Sequence, residues 1–308
     1  MRFSVIIPVY NKANTISSSL DSVFAQTNQD FEVIVVNDGS TDNIHQVLSK
    51  YERVIVINQE NAGVSVARNA GIDKAKGDFV CFLDADDVYF PNHLEVLSGL
   101  IDKYPDCGFF CTSHKETVDD GNKTDSATRL PKYVIESSDY KCDNLFDLLN
   151  NYSDGIIHTN SFCIKKYILI NGNIYFAVGE KIGEDTDLWY RVALKNSIVL
   201  TRITTTQYQR EYSTATKMGV KTKKWLFAKR IDSIMRDSSI PNDIKDSVLL
   251  LVDRYFLKCA RDYKLEGCFK EAIGELKKVT YKWNKRYILS AIYCYLPCKI
   301  SRMLKKNI

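Results

Sequence analysis

The chain has 308 residues, 45% of them hydrophobic, enough to build a core for one large domain or a domain with an appendage. Its 42 basic and 38 acidic side chains leave a formal charge of +4, a balance that gives no nucleic-acid signal by charge alone. The nine cysteines are odd in number and include no Cys-x-x-Cys pair, which fits buried reduced thiols of a cytosolic protein rather than a disulfide framework.

The first residues, Met1-Arg2-Phe3-Ser4-Val5-Ile6-Ile7-Pro8, hold too few apolar positions for a signal peptide or a membrane span, and Phe3 to Ile7 predicts a first strand stopped by Pro8. Asn14-Thr15 can cap a helix whose apolar face is Ile16, Leu20, Val23 and Phe24. Phe31 to Val36 predicts a second strand. The turn Asn37-Asp38-Gly39-Ser40-Thr41-Asp42 after it can cap a helix carrying Ile44, Val47, Leu48 and Tyr51. Val54 to Ile57 predicts a third strand, the polar loop 58–63 follows, and a small-residue helix from about Val64 to Ala75 contains Arg68.

Phe79 to Val88 is the most informative stretch: a short apolar run ends in Asp84, Asp86 and Asp87. Three carboxylates within four positions repel one another and resist desolvation unless a cation joins them, so Mg²⁺ or Mn²⁺ is the natural partner. By itself the stretch reads equally well as an exposed acidic turn before Pro91. Four strands without polar alternation, separated by helices, predict a parallel sheet covered on both faces. In such sheets ligands bind beyond the carboxyl ends of the strands, where Pro8-Val9-Tyr10, Asp38, Asn61 to Gly63 and Asp84-Ala85-Asp86 converge, and this favours the metal reading. No Gly-x-Gly-x-x-Gly follows strand one and no Walker lysine motif occurs, which disfavours a dinucleotide or P-loop cradle.

Downstream, Pro91-Asn92 opens a helix through Leu94, Leu97, Leu100 and Ile101, and Cys107 to Thr112 predicts a strand. Cys107 and Cys111, like Cys294 and Cys298, have no histidine at ligand spacing, so a zinc site is disfavoured. Asp119 to Asp139 is polar, with a turn at Gly121-Asn122, and reads as a surface loop. Asp143 to Leu149 predicts a helix and Ser161 to Lys165 a strand; His158 before it reads as structural rather than as a base. Glu184 and Asp185 open a helix with Leu188, Trp189, Val192 and Ala193 on its apolar face, where acidic residues are ordinary dipole partners. Ser197 to Arg202 and Thr204 to Gln209 predict closing strands. Lys221-Thr222-Lys223-Lys224 reads as a solvated linker.

From Trp225 the pattern is helical: Trp225 to Met235, Ile244 to Tyr263 and Phe269 to Val279. The last stretch mixes Tyr281, Trp283 and Tyr287 with lysines, and its apolar part, interrupted by Pro297, is shorter than the ~20 residues of a spanning helix. A peripheral contact with anionic lipid and packing on the chain's own domain or a sister subunit both stand as readings.

Four strings in order carry a family resemblance. Val5-Ile6-Ile7-Pro8-Val9-Tyr10-Asn11, Val35-Val36-Asn37-Asp38-Gly39-Ser40-Thr41-Asp42, Asn61-Ala62-Gly63-Val64-Ser65-Val66-Ala67-Arg68-Asn69 and Phe82-Leu83-Asp84-Ala85-Asp86-Asp87 resemble the nucleotide-sugar motifs of the inverting family 2 glycosyltransferases. The resemblance implies a GT-A fold, an α/β, Rossmann-like, mainly parallel sheet flanked by helices, assigned to residues 1–220; the C-terminal helical region, 221–308, rests on its own residue pattern and lies outside the resemblance. The resemblance also implies nucleotide contacts from Pro8, Val9, Tyr10, Asp38, Asn61, Gly63, Arg68, Asp84 and Ala85, a metal on Asp86, and Asp185 as general base with Glu184 supporting the acceptor. On the same footing 119–139 stands where loops cover the sugar or choose the acceptor, His158 is near the acceptor if it is not structural, and 221–224 folds over the donor if it is not a linker. Taken singly, Tyr10 reads as a core aromatic, Asp38 as a helix cap and Arg68 as a surface cation. Many relatives carry a histidine in the segment that here reads Tyr208-Gln209-Arg210-Glu211-Tyr212-Ser213; this chain has none, which leaves Arg210 as the residue to reach phosphates.

The expected function is transfer of a sugar from a UDP-sugar, with Mn²⁺ or Mg²⁺, to the hydroxyl of a glycan or lipid-linked glycan in bacterial surface-polysaccharide synthesis. The expected setting is the cytoplasm at the inner membrane face, with a possible homo-oligomer and no nucleic acid. A non-catalytic nucleotide-sugar or glycan-binding subunit and a nucleotidyltransferase are the alternatives, and a glycoside hydrolase ranks low because it needs no nucleotide crevice.

Overall fold

A computed structural model describes residues 2–117, 123–130, 139–152, 155–180, 183–209, 226–282 and 285–295. The expectations placed on Gly121-Asn122, on Arg210 to Ser213, on 221–225, on Trp283 and on Pro297 lie outside the described residues. Two compact units form, Met1–Leu145 with Tyr152–Met218, and Phe146–Asn151 with Gly219–Ile308.

In the first unit β1 (Phe3–Val9) and β2 (Phe31–Asp38) are buried along their whole lengths, as the uninterrupted apolar runs require of strands covered on both faces. They pair in parallel, Phe3 opposite Phe31 and Val9 opposite Asn37. β3 (Val54–Gln59) adds outside β2 and β4 (Phe79–Phe82) outside β1, both parallel. The helices α1 (Ile16–Phe24), α2 (Ile44–Leu48) and α3 (Val64–Lys74) are the crossovers between them. One expectation needs correction here. Pro8 does not stop β1: the strand runs on to Val9, pairing Pro8 with Val36. Ile6 turns its carbonyl to β4, accepting from the Leu83 amide, so the missing N–H of Pro8 points to the same side, where β4 has ended at Phe82.

Beyond β4 the sheet is mixed. Among the described residues its order is β3-β2-β1-β4-β9-β6-β10-β5, with β5 (Val88–Tyr89), β6 (Phe109–Thr117), β9 (Phe162–Lys165) and β10 (Ile198–Gln209). β9 lies antiparallel to both β4 and β6, whereas β10 runs parallel to β6. Two short strands, β7 (Lys123–Asp125) and β8 (Asp139–Cys142), pair off β6 and β10. The two strands expected at 197–202 and 204–209 are one strand, β10, whose pairing with β6 shifts register between Leu200 and Thr206. The first unit also holds α4 (His93–Lys103), α6 (Lys166–Asn171) and α7 (Glu184–Ala193); α5 (Leu145–Asn151) lies between them in sequence.

Among the described residues the second unit holds Phe146–Asn151, a 3₁₀ turn Leu226–Arg230, and α8 (Ile231–Arg236), α9 (Asn242–Leu265), α10 (Phe269–Lys278) and α11 (Lys285–Tyr295). Phe146 stacks on Phe227 at 5.9 Å, and Arg254 donates to the Leu149 carbonyl at 2.6 Å. Leu257, Ala260, Leu276 and Tyr293 join α9, α10 and α11 in one core. The buried Asp253 carboxylate caps the turn before α11, accepting from the Thr280 and Tyr281 amides at 2.7 Å each. Among the described residues no helix is long and apolar enough to cross a membrane, and no disulfide forms between described cysteines.

Candidate functional site

The in-register ends of β3, β2, β1 and β4 bring four loops side by side, and hydrogen bonds tie these loops together. Asp38, at the end of β2, is buried and accepts from the Gln59 side chain at 2.7 Å, the Ala62 amide at 2.9 Å and the Gly63 amide at 2.9 Å, so three of its roughly four acceptor positions are used inside the protein. Asn61 returns the contact, donating to the Asp38 carbonyl at 3.0 Å. Gly39 sits at φ +72°, and a Cβ on it would lie 2.7 Å from the Asn61 backbone nitrogen; a side chain fits neither the conformation nor the space. Asn11, itself at φ +52°, donates its amide to Ser40 Oγ at 3.0 Å and accepts from the Thr41 amide at 2.8 Å.

These contacts revise the capping expectation. Asp38, Ser40, Thr41 and Asp42 bind neighbouring loops, and neither α1 nor α2 has a side-chain cap. Val9 is buried, while Tyr10 stands 48% exposed beyond the strand end, outside the core in which an isolated aromatic would be expected.

Arg68 is not a surface cation. It projects from α3, is 4% exposed, and forks between Asp84 Oδ1 at 2.8 Å and Glu184 Oε1 at 3.1 Å, with the Phe176 ring 5.1 Å from its guanidinium carbon. Burial opposes its charge, but Asp84 and then Glu184 more than offset this, and its pKa rises. For Asp84 burial is likewise outweighed by the charge and hydrogen bond of Arg68, which hold its carboxyl below the ordinary value. Glu184 ends above its ordinary value through burial and the charge of Asp185, with Arg68 pulling the other way. One guanidinium thus joins the strand-β4 loop to the amino terminus of α7, 116 positions apart along the chain from Arg68 to Glu184. The companion residue Asn69 makes two hydrogen bonds to the Phe176 backbone, at 2.9 and 2.8 Å, and so fixes the ring under Arg68.

Asp86 and Asp87, adjacent in sequence, have separate roles. Asp86 accepts from Lys12 Nζ at 2.7 Å; burial raises its pKa despite that hydrogen bond. Asp87 is fully buried, accepts from Asn160 Nδ2 and the Gln209 amide at 2.9 Å each, and is pushed well above its ordinary value by burial and by the charge of Asp84. It therefore braces the loop against the turn Thr159–Ser161 and the end of β10. Asn160, also fully buried, accepts from Thr206 at 3.0 Å.

Asp185 lies in the first turn of α7, which begins after Gly183 in a left-handed conformation at φ +85°. Its Oδ1 accepts from the Thr186 amide at 2.6 Å and its Oδ2 from Thr159 Oγ1 at 3.4 Å, and among the described residues no cation lies within ion-pair distance. His158 contacts Asn160 Oδ1 at 2.9 Å and meets the rings of Tyr208 at 4.4 Å and His114 at 5.1 Å in tilted contacts. Burial lowers the His158 pKa against the charge of Asp84, and burial brings His114 down to about 3.

The acidic groups that could hold a metal are Asp86 and Asp84. Among the described residues no group of three or more His, Cys, Asp or Glu stands close enough to bind an ion. Asp84 is already engaged by Arg68, whereas Asp86 is a hard oxygen donor that holds a cation, the Lys12 ammonium, at 2.7 Å. A single hard carboxylate could serve a divalent cation only where phosphate oxygens of a ligand supply further ligands, an arrangement in which one or two carboxylates suffice. Lys12, Asn160 and Phe176 were missed in the sequence. Lys12 adjoins the Pro8-Val9-Tyr10-Asn11 string, whereas Asn160 and Phe176 carry no local signal.

The family model described as Glycosyl transferase family 2 matches residues 4–168. A glycosyltransferase of Rickettsia prowazekii (strain Madrid E) is 32% identical over 197 residues, 63% of this chain and 59% of its own length. The chain spans 14% to 59% of the length of the Rickettsia relatives it matches first. Among solved structures, S. aureus TarS 1-349 in complex with UDP-GlcNAc superposes with a TM-score of 0.64 at 20% identity, covering 97% of this chain and 83% of that one. A Pyrobaculum calidifontis mannosyltransferase in complex with GDP-Man and Mn²⁺ gives 0.57 at 16% identity, covering 99% and 79%. At these identities the likeness shows the fold, the GT-A architecture of an α/β sheet flanked by helices with a C-terminal helical region.

Proposed function

Glycosyl transferase family 2 is the family to which this chain belongs, and on that premise we propose that it transfers a sugar from a UDP-sugar to an acceptor hydroxyl with inversion at the anomeric carbon. The observation that carries the reading is the division of labour at the amino terminus of α7. Arg68 takes up Glu184, while the adjacent Asp185 keeps a carboxylate with weak contacts on Oδ2 and no cation partner among the described residues. A general base needs such an available lone pair.

In this reading the exposed Tyr10 ring and Val9 border the base, the remaining acceptor position of Asp38 and the Asn61 to Gly63 loop meet its edge, and Asp84 and Ala85 face the ribose. Arg68 positions Asp84 and Glu184 rather than touching substrate. Asp86 would hold the divalent cation, which when bound offsets the charge on the departing diphosphate. The acceptor oxygen attacks C1 and gives its proton to Asp185; the bond from C1 to the diphosphate oxygen breaks, and its electron pair leaves with UDP. One displacement inverts the centre. The UDP-GlcNAc bound by TarS supports the donor class.

In this reading residues 1–220 carry the transfer, and the C-terminal region, 221–308, serves membrane contact or self-association. The acceptor is a glycan or lipid-linked glycan, and the setting is surface-polysaccharide synthesis at the inner membrane face. Incubating the protein with a panel of UDP-sugars, Mn²⁺ and glycan acceptors, with and without chelator, tests this. UDP release that requires acceptor and metal supports it, and UDP binding without turnover on any pair contradicts it in favour of a binding subunit.

A further inference from the structure

The even overall charge conceals a division along the chain. Residues 219–308 carry 21 basic and 9 acidic side chains, a net +12, whereas residues 1–218 carry 21 basic and 29 acidic, a net −8. After Glu275 there are nine lysines and arginines and no acidic residue at all. Within this basic region α11 has two contrasting faces. Ser290, Tyr293 and Cys294 are buried in the second unit's core. On the other face Lys285, Ile288, Leu289, Ile292 and Tyr295 follow the i, i+3, i+4, i+7, i+10 spacing of one stripe, and Ile288, Ile292 and Tyr295 are 43%, 48% and 64% exposed. Lys282, Lys285 and Arg286 are exposed at its amino end.

We infer that this face of α11 is a docking surface for an anionic lipid bilayer, with Ile288, Ile292 and Tyr295 entering the headgroup boundary and Lys282, Lys285 and Arg286 meeting the lipid phosphates. Apolar side chains on one stripe with cations beside them are what an interfacial helix needs, and the tyrosine suits the headgroup zone. A second copy of the chain fits less well. Three half-exposed side chains offer on the order of a few hundred Å², short of the ~1,200 Å² that a stable protein interface buries, and two surfaces of the same sign repel.

This deepens the membrane setting proposed above, and the test is independent of catalysis. The full chain, without donor or acceptor, is floated with phosphatidylglycerol-containing vesicles and with phosphatidylcholine vesicles, at low and high salt. Flotation with the anionic vesicles only, weakened by salt, is expected. Ile288→Glu with Ile292→Glu should lower the bound fraction on the order of tenfold or more, and Lys285→Gln with Arg286→Gln should act mainly at low salt, while circular dichroism and UDP binding stay unchanged. Vesicle binding unaffected by both double variants overturns the inference, as does no anionic-vesicle binding, self-association lost in the variants, or duplex DNA bound in place of vesicles. Loss of turnover with vesicle binding intact would count against the transferase reading alone.

Discussion

Replacing Arg68 by Met keeps much of the side-chain volume over Phe176 and removes the guanidinium that holds Asp84 and Glu184. Two carboxylates are then left without their cation in a buried setting, a change that typically costs about 3–5 kcal/mol. Asp84 keeps 31% of its side chain exposed and recovers some hydration, so the lower end, about 3 kcal/mol, is expected. For a unit of this size that lowers Tm by about 6–12 °C. The sign of the pH dependence follows from the shifts. In the wild type Asp84 lies below its ordinary value because Arg68 outweighs its burial, so it contributes stability above the ordinary carboxylate range that is lost as pH falls through its folded value. Without Arg68, burial and mutual repulsion hold both carboxyls above their ordinary values, and they destabilise the fold as pH rises through that range. The deficit should therefore be largest near neutral pH and shrink toward about pH 4. Urea unfolding of variant and wild type in parallel at both pH values measures it. A deficit below about 1 kcal/mol, or one equal at both pH values, refutes the bridging role given to Arg68.

Three further outcomes rest on other contacts. Asn160→Ala withdraws a donor from the fully buried Asp87 and should cost about 1–3 kcal/mol, read by the same unfolding assay. Gly39→Ala meets both a positive φ and a 2.7 Å approach to Asn61; a loss of about 1–3 kcal/mol should come with weaker UDP binding, because the Asp38 loop is displaced. Asp86→Asn should remove the effect of Mn²⁺ on UDP affinity, at least about tenfold, while leaving metal-free UDP affinity near wild type in calorimetry.

The sequence revealed what is local. Apolar runs located β1, β2 and β4 to within about two residues, because a strand buried on both faces has no polar alternation to confuse its limits. The same absence of alternation cannot distinguish parallel from antiparallel pairing, so the insertion of β9 between β4 and β6 was not legible. The carboxyl-end rule placed Asp38, Asn61 and Asp84 in one region, and the structure brings their loops together. What the sequence could not give was partnership across the chain. Arg68 meets Glu184 and Asp87 meets Asn160 at separations of 116 and 73 positions, through packing that no local pattern encodes. The capping reading of Ser40 and Asp42 failed for the related reason that loop-to-loop donors won the competition for their oxygens.

The most direct test of the proposed transfer is the Asp185→Asn variant, followed for both UDP affinity and acceptor-dependent turnover with the donor that the wild type uses. The contacts from Thr186 and Thr159 can persist with an amide, so the site should keep its shape. A fall in kcat of about 10²–10⁴-fold with UDP affinity unchanged is predicted for loss of a general base. Turnover within a few-fold of wild type would contradict the assignment of Asp185 as the group that takes the proton.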